Sequence, residues 1–293
     1  MAGSSKGASR STRDPRPLVQ RFSDVVGPGV EDDKIDLLRG SLLIAETDYP
    51  QLRSELYVRK IEELAVRAKS RLVDGSEPGE SIQILNQILF NEEGLRGNNE
   101  DFYDPRNSFI NDVLDRKLGI PIALAVIYME VARRIGFPLF GVGMPGHFLL
   151  KHYDVDGRQI LIDCFEGGKI VSTADCQHRL NEIYSGQLTL QADFLGAVPR
   201  RQILMRMLNN LRSIYLTHRN FRKGLQIVDL ILAIYPRSPE DVKQRAVLLH
   251  EIGQTTRALD DFDLYLKMSP EASDADEIRQ VSLSIRRKRA TLN

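Results

Sequence analysis

The spacing of apolar residues changes period along this chain, and each change marks a different kind of element. From Asp33 to Val73 it is helical: Leu37, Leu38, Leu42 and Leu43, then, beyond Asp48-Tyr49-Pro50, Leu52, Leu56, Val58, Ile61, Leu64 and Ala65. That spacing predicts two or more helices. Gly75-Ser76-Glu77-Pro78-Gly79 breaks the pattern. Ser81 to Phe90 resumes it with Ile82, Leu85, Ile88 and Leu89 on one side, closing near Gly94. Residues 97–108 are polar and rich in turn formers, yet hold Phe102 and Tyr103, which favour burial; an ordered loop is expected there. Asn107 or Ser108 is placed to cap a helix over Phe109 to Asp115.

From Pro121 to Ile135 the chain is apolar nearly all round as far as Glu130, the pattern of a helix buried inside a domain. Proline suits its first turn, and Gly136 and Pro138 end it. Beyond it the period shortens to that of strands over Leu139–Val142, His147–Tyr153 and Gln159–Asp163, with Asp156-Gly157 as a turn signal. Helices followed by an antiparallel sheet make this region α+β. From Arg201 the pattern is helical again and repeats at an offset of 34 residues: Asn220 with Gln254, Gly224 with Ala258, Leu225 with Leu259, Val228 with Phe262, Leu232 with Leu266 and Pro236 with Pro270.

Composition narrows the function classes. The chain has 293 residues, 42% apolar and 27% charged, with 40 basic residues balancing 40 acidic ones. That balance argues against a nucleic-acid clamp or a membrane-surface protein. The longest apolar run, Ile120 to Met129, is too short to span a bilayer. Two cysteines, Cys164 and Cys176, give neither a disulfide framework nor zinc-ligand spacing. A cytoplasmic protein without metal or cofactor is expected. Residues 1–17, rich in Ser, Arg and Gly, lack a signal-peptide core, and disorder is expected through residue 32. An organelle transit segment is the alternative for this stretch. Residues 33–198 are then the core and 199–293 a helical domain.

The 34-residue helix-turn-helix period, with a small residue early in the second helix and a closing proline, is the tetratricopeptide signature. Two units are fewer than such arrays usually need, so they should lean on the core or on a last helix, Asp276 to Arg289. The core resembles the transglutaminase-like, papain-type superfamily in the order Gly119-Ile120-Pro121, buried helix, Gly136-Phe137-Pro138, strand, His147, turn, Asp163. The resemblance implies a nucleophilic Cys at the start of the buried helix, a His base and an orienting Asp. The Cys position falls on Pro121, which has no nucleophile. Cys164 should face away from Asp163 by strand alternation, and Cys176 reads as part of a surface loop.

His147 is open to two readings, a remnant of the triad or a strand-entry histidine satisfied by a carbonyl. If the turn is the three residues Val155-Asp156-Gly157, His147 and Asp163 are diagonal neighbours on one face; a two-residue turn would separate them. The Arg286-Arg287-Lys288-Arg289 run reads as a solvated helix end.

Asn91-Glu92-Glu93-Gly94-Leu95, residues 101–109, residues 119–125 and residues 143–150, together with the repeat tail, resemble the bacterial SirB family over about Asp33 to Pro270. That resemblance implies a core that generally has proline in place of the Cys and is reused in some eukaryotic F-box proteins. It implies a noncatalytic adaptor or regulator that binds a protein or peptide partner in a groove bordered by Tyr103, Asn107, His147 and Asp163, and on the concave face of the tail. The alternative is an acyl-transfer or peptide-hydrolysing enzyme that uses His147 and Asp163 without the Cys.

Overall fold

The computed structural model describes residues 14–73 and 75–291. Residues 1–13, where disorder was expected, lie outside the described residues. For residues 18–32 that expectation is corrected. Leu18–Val26 forms helix α1, and Phe22, Val25 and Val26 are buried. Their helical spacing supplies one apolar face, which packs on the helical tail. Arg21 fixes the same helix through a buried ion pair of 2.6 Å with Glu46.

Helices α2 (Leu37–Ala45), α3 (Ser54–Lys69) and α4 (Pro78–Asn86) follow, the last running into a π-helical turn at Gln87–Glu92. A short strand β1 (Arg96–Gly97) pairs in parallel with β2 (Leu118–Gly119), and α5 (Ile110–Arg116) lies between them. Neither Asn107 nor Ser108 caps α5. Phe109, 1% exposed, is drawn into the core at the N-cap position, and the buried Ser108 hydroxyl has no hydrogen-bond partner among the described residues.

Helix α6 (Pro121–Arg134) is the buried helix expected from its composition. It is followed by β3 (Phe140–Val142), β4 (Leu149–Tyr153), β5 (Gln159–Asp163), β6 (Lys169–Val171), helix α7 (Thr173–Tyr184) and β7 (Ala197–Val198). The five strands lie in the order β6-β5-β4-β3-β7, each pair antiparallel. One face of the sheet, with Phe148, Leu150, Ile162 and Cys164, joins the main core around α6. Val142, Leu149 and Leu161 on the other face pack with Met144 and with Cys176 and Leu180 of α7. The sheet is therefore sandwiched between α6 and α7.

Helices α8 (Arg200–Thr217), α9 (Phe221–Ile234), α10 (Pro239–Glu251), α11 (Thr255–Met268) and α12 (Ala275–Thr291) complete the chain. The 34-residue offset superposes α8–α9 on α10–α11. A Cβ on Gly224 would meet Leu216 at 3.3 Å, which accounts for the small residue at this position. The main core crosses residues 198/199: Ile203, Leu204, Met207, Leu208 and Leu211 of α8 and Ile227, Leu230 and Ile231 of α9 are buried with α2 and α6. The tail thus rests on the core, as two units require. The Asp32 carboxylate seals this joint by accepting the free N–H groups of Arg200 (2.8 Å) and Arg201 (2.9 Å) at the start of α8.

Candidate functional site

The β4–β5 connection is the three-residue loop Val155-Asp156-Gly157, closed by the Asp154 N–H on the Arg158 carbonyl at 3.0 Å. The register then pairs Leu150 with Ile162 and carries His147 to the diagonal position beside Asp163. Nε2 of His147 lies 2.7 Å from Oδ2 of Asp163, and both side chains are buried. The other oxygen, Oδ1, accepts the backbone N–H groups of Phe165 (2.9 Å) and Glu166 (3.3 Å). A carboxylate only accepts, so with a neutral ring the Nε2 hydrogen points to Asp163 and Nδ1 remains as an acceptor. Among the described residues no hydrogen bond reaches Nδ1.

The loop before β4 is held from the tail. Arg206 of α8 donates through one nitrogen to the carbonyls of Met144 (2.9 Å) and His147 (2.7 Å), and its guanidinium lies over the Phe148 ring. Burial lowers its pKa, and among the described residues no carboxylate is paired with it.

Beside the His147–Asp163 pair is a cavity of about 280 Å³, walled by the sheet and by α7, with Met144, Leu149, Glu166, Lys169, Cys176 and Arg179 in its lining. Cys176 is not in a surface loop. It is 2% exposed on α7, and its sulfur belongs to the apolar cluster under that helix. The signal was present in the sequence. Ser172 and Asp175 form a reciprocal capping box that starts the helix, and Cys176 and Leu180, four residues apart, then share its inner face.

The cysteine is not activated. Burial pushes the Cys176 thiol up, the Asp163 and Asp175 charges push it further in the same direction, and no hydrogen bond joins its sulfur to His147 among the described residues. Cys164 is enclosed on the opposite sheet face, and burial raises its pKa well above the ordinary thiol value.

The remaining site residues expected from sequence do not border this cavity. Pro121 is buried at the first position of α6. Asn107 is fully buried, its amide donating to the Asp101 carbonyl at 2.6 Å and its oxygen accepting from Asn98 at 3.1 Å, so it holds the loop and offers nothing outward. Tyr103 is 70% exposed and reaches His147 only through a chain of ring contacts, to Phe102 (5.4 Å), Phe165 (6.1 Å) and then His147 (6.1 Å). Phe165 lies so close to Gly97 that a Cβ there would fall 2.5 Å from its ring. Among the described residues no three His, Cys, Asp or Glu side chains converge as metal ligands, and no helix is long and apolar enough to cross a membrane.

A buried helix against an antiparallel sheet, an imidazole–carboxylate pair on adjoining strands and a tail of paired helices define a transglutaminase-like domain joined to tetratricopeptide repeats. The chain belongs to the transglutaminase-like superfamily, whose profile matches residues 55–209, and a tetratricopeptide repeat profile matches residues 211–282. A UPF0162 protein of Xylella fastidiosa (strain Temecula1) is 35% identical over 253 residues, covering 85% of this chain and 90% of that protein. One of Vibrio cholerae is 26% identical over 251 residues, 84% of this chain and 91% of the relative. Human F-box only protein 21 is 29% identical over 187 residues, which are 59% of this chain and 28% of that protein.

Proposed function

We propose that this chain is a noncatalytic adaptor or regulator, SirB-like and cytoplasmic, that binds a protein or peptide partner at the His147–Asp163 site and along the tail. The observation that carries the reading is the absence of an activated thiol. Pro121 stands at the start of α6 without a nucleophile, and burial keeps the one cysteine that lines the cavity protonated. What remains is a fixed set of donors and acceptors, with exposed Tyr103 nearby as a docking ring and Asn107 shaping its loop. The repeat tail supplies a second surface, a cleft of about 620 Å³ lined by Asn209, Arg212, Lys243 and Gln244. Paired helices of this kind commonly hold peptide segments.

The test is capture of partners by the full-length chain from the native cell, comparing His147→Ala, Asp163→Asn and Tyr103→Ala with a tail variant, Lys243→Glu. Substitution is preferable to truncation, because α8 and α9 contribute to the main core. Loss of the same partner in the site variants supports the reading. Unchanged capture by all of them ends it.

The preserved His147–Asp163 pair favours one alternative, an acyl-transfer or peptide-hydrolysing enzyme that activates water or an amine directly. It requires turnover of an amide substrate that disappears in His147→Ala.

A further inference from the structure

The cavity between the sheet and α7 has a definite electrostatic character. Four carboxylates line it, Asp163, Glu166, Asp175 and Glu182, against two cations, Lys169 and Arg179. With both lining histidines neutral, two negative charges are in excess. The chain's own guanidinium already sits in this field: Arg179 is 2.6 Å from Glu166, 3.5 Å from Glu182 and 4.0 Å from Asp163. Lys169 approaches Asp175 only to 3.8 Å.

A second, independent feature points the same way. His147 is 5% exposed, lines the cavity and has no hydrogen bond at Nδ1 among the described residues. The Nδ1 atom opens to the cavity, so an incoming donor can take the place of water there. In the lining, carboxylates outnumber cations four to two. A cationic, donor-rich group complements both features; a carboxylate conflicts with both, and a carboxamide matches only half.

We infer that this cavity receives a basic side chain, lysine or arginine, of the bound peptide, its positive charge balancing the excess carboxylates of the lining and one N–H donating to Nδ1 of His147. The inference rests on the peptide-binding reading above and narrows it to partners that present a basic residue. Binding is noncovalent.

The test is a nuclear magnetic resonance titration of the full-length protein, following the His147 ring nitrogens and the backbone amides of α7. The probes are the N-acetyl methylamides of lysine, arginine, glutamine and glutamate. The two cationic probes should shift these resonances with saturation, and bind about tenfold or more tightly than the glutamine probe. Raising the salt concentration should weaken them, because Glu166 and Glu182 are half-exposed. Glu166→Gln with Glu182→Gln should reduce their binding severalfold while the melting temperature holds. Equal or tighter binding of the glutamine probe overturns the inference and leaves peptide recognition standing. Binding of the glutamate probe, or shifts confined to residues outside the cavity, or no response to any probe, overturns it as well. If the cationic probes bind as expected while partner capture is indifferent to His147→Ala, the failure belongs to the wider functional reading.

Discussion

Arg206, on the first helix of the tail, donates a 2.7 Å hydrogen bond to the main-chain carbonyl of His147. The same nitrogen holds the Met144 carbonyl, so α8 fastens the loop that presents the imidazole, beside the loop's own 3.1 Å bond from the His147 N–H to the Met144 carbonyl. A half-buried guanidinium held by two carbonyls and a ring, with no carboxylate paired to it among the described residues, is a costly clamp, which implies that the position of that loop matters. Arg206→Met keeps the packing stem and removes the donor. It should lower stability by about 2 kcal/mol in urea unfolding and broaden the His147 ring signals. Arg206→Lys, with one compact donor group, should restore only part of the loss.

Asp163 is the more deeply embedded member of the site pair. Its two oxygens serve the His147 ring and two backbone N–H groups at the turn after β5. Asp163→Ala leaves all three donors unmatched, and should cost about 3 kcal/mol or more. His147→Ala removes one partner only and should cost about half of that. A denaturation midpoint for each variant checks the order; a larger loss for His147→Ala would mean that Asp163 is not the anchor.

The thiols provide a direct chemical test of the noncatalytic reading. Since burial and neighbouring carboxylates raise the pKa of both Cys176 and Cys164, native protein at pH 7 should react with iodoacetamide far more slowly than the unfolded chain does. The rate should climb with pH above the ordinary thiol range. A fast phase at pH 7 that vanishes in His147→Ala would reveal a thiolate–imidazolium couple.

Much of the fold was legible because its signals are local. The apolar run of Pro121–Arg134 could only be a buried helix, and the 34-residue offset fixed α8 to α11. The His147–Asp163 contact was conditional on one turn, and the three-residue loop met the condition. Legibility failed where a helix was short or its apolar residues few. Helix α1 shows its face through Phe22, Val25 and Val26 beside a Ser- and Arg-rich stretch that dominates the local composition. Helix α7 has only Cys176 and Leu180 fully buried, so its cap was the sole clear marker. Missing α7 also hid the cavity, because Arg179 and Glu182 come from that helix. The aromatic chain from Tyr103 to His147 depends on long-range packing against Gly97, which no period in the sequence reports.

Glu93, which closes the π-helical turn after α4, gives a pH prediction. Glu93 accepts from Lys117 at 2.8 Å and pairs with Arg67, linking α3, the π-helical turn and the residue that ends α5. The Lys117 hydrogen bond holds the Glu93 carboxyl below its ordinary value of 4.5, against the opposing effect of burial. With the folded value below the unfolded one, the contribution is complete above about pH 4.5 and is lost as pH falls through the folded value. Glu93→Gln should therefore destabilise by about 1 kcal/mol at pH 7, and the gap between variant and parent should close as the pH falls below 4.5. A gap independent of pH would assign the loss to packing.

Asp32 tests how the tail is fastened. Its carboxylate covers two of the free N–H groups that begin α8, and the Arg201 side chain returns to the carbonyls of Val26, Gly27 and Val30. Each contact joins the segment after α1 to the tail across more than 160 residues of sequence. Asp32→Ala removes a helix cap and should cost about 1–2 kcal/mol. Because Arg206 lies in the second turn of the same helix, slackening its start should also be felt at the site. Hydrogen exchange should accelerate first at the amides of Arg200–Ile203, then in the Met144–His147 loop, while α10 and α11 stay protected. If exchange rises in α10 and α11 instead, the tail is held by its own repeats and the clamp through Arg206 is not under its control.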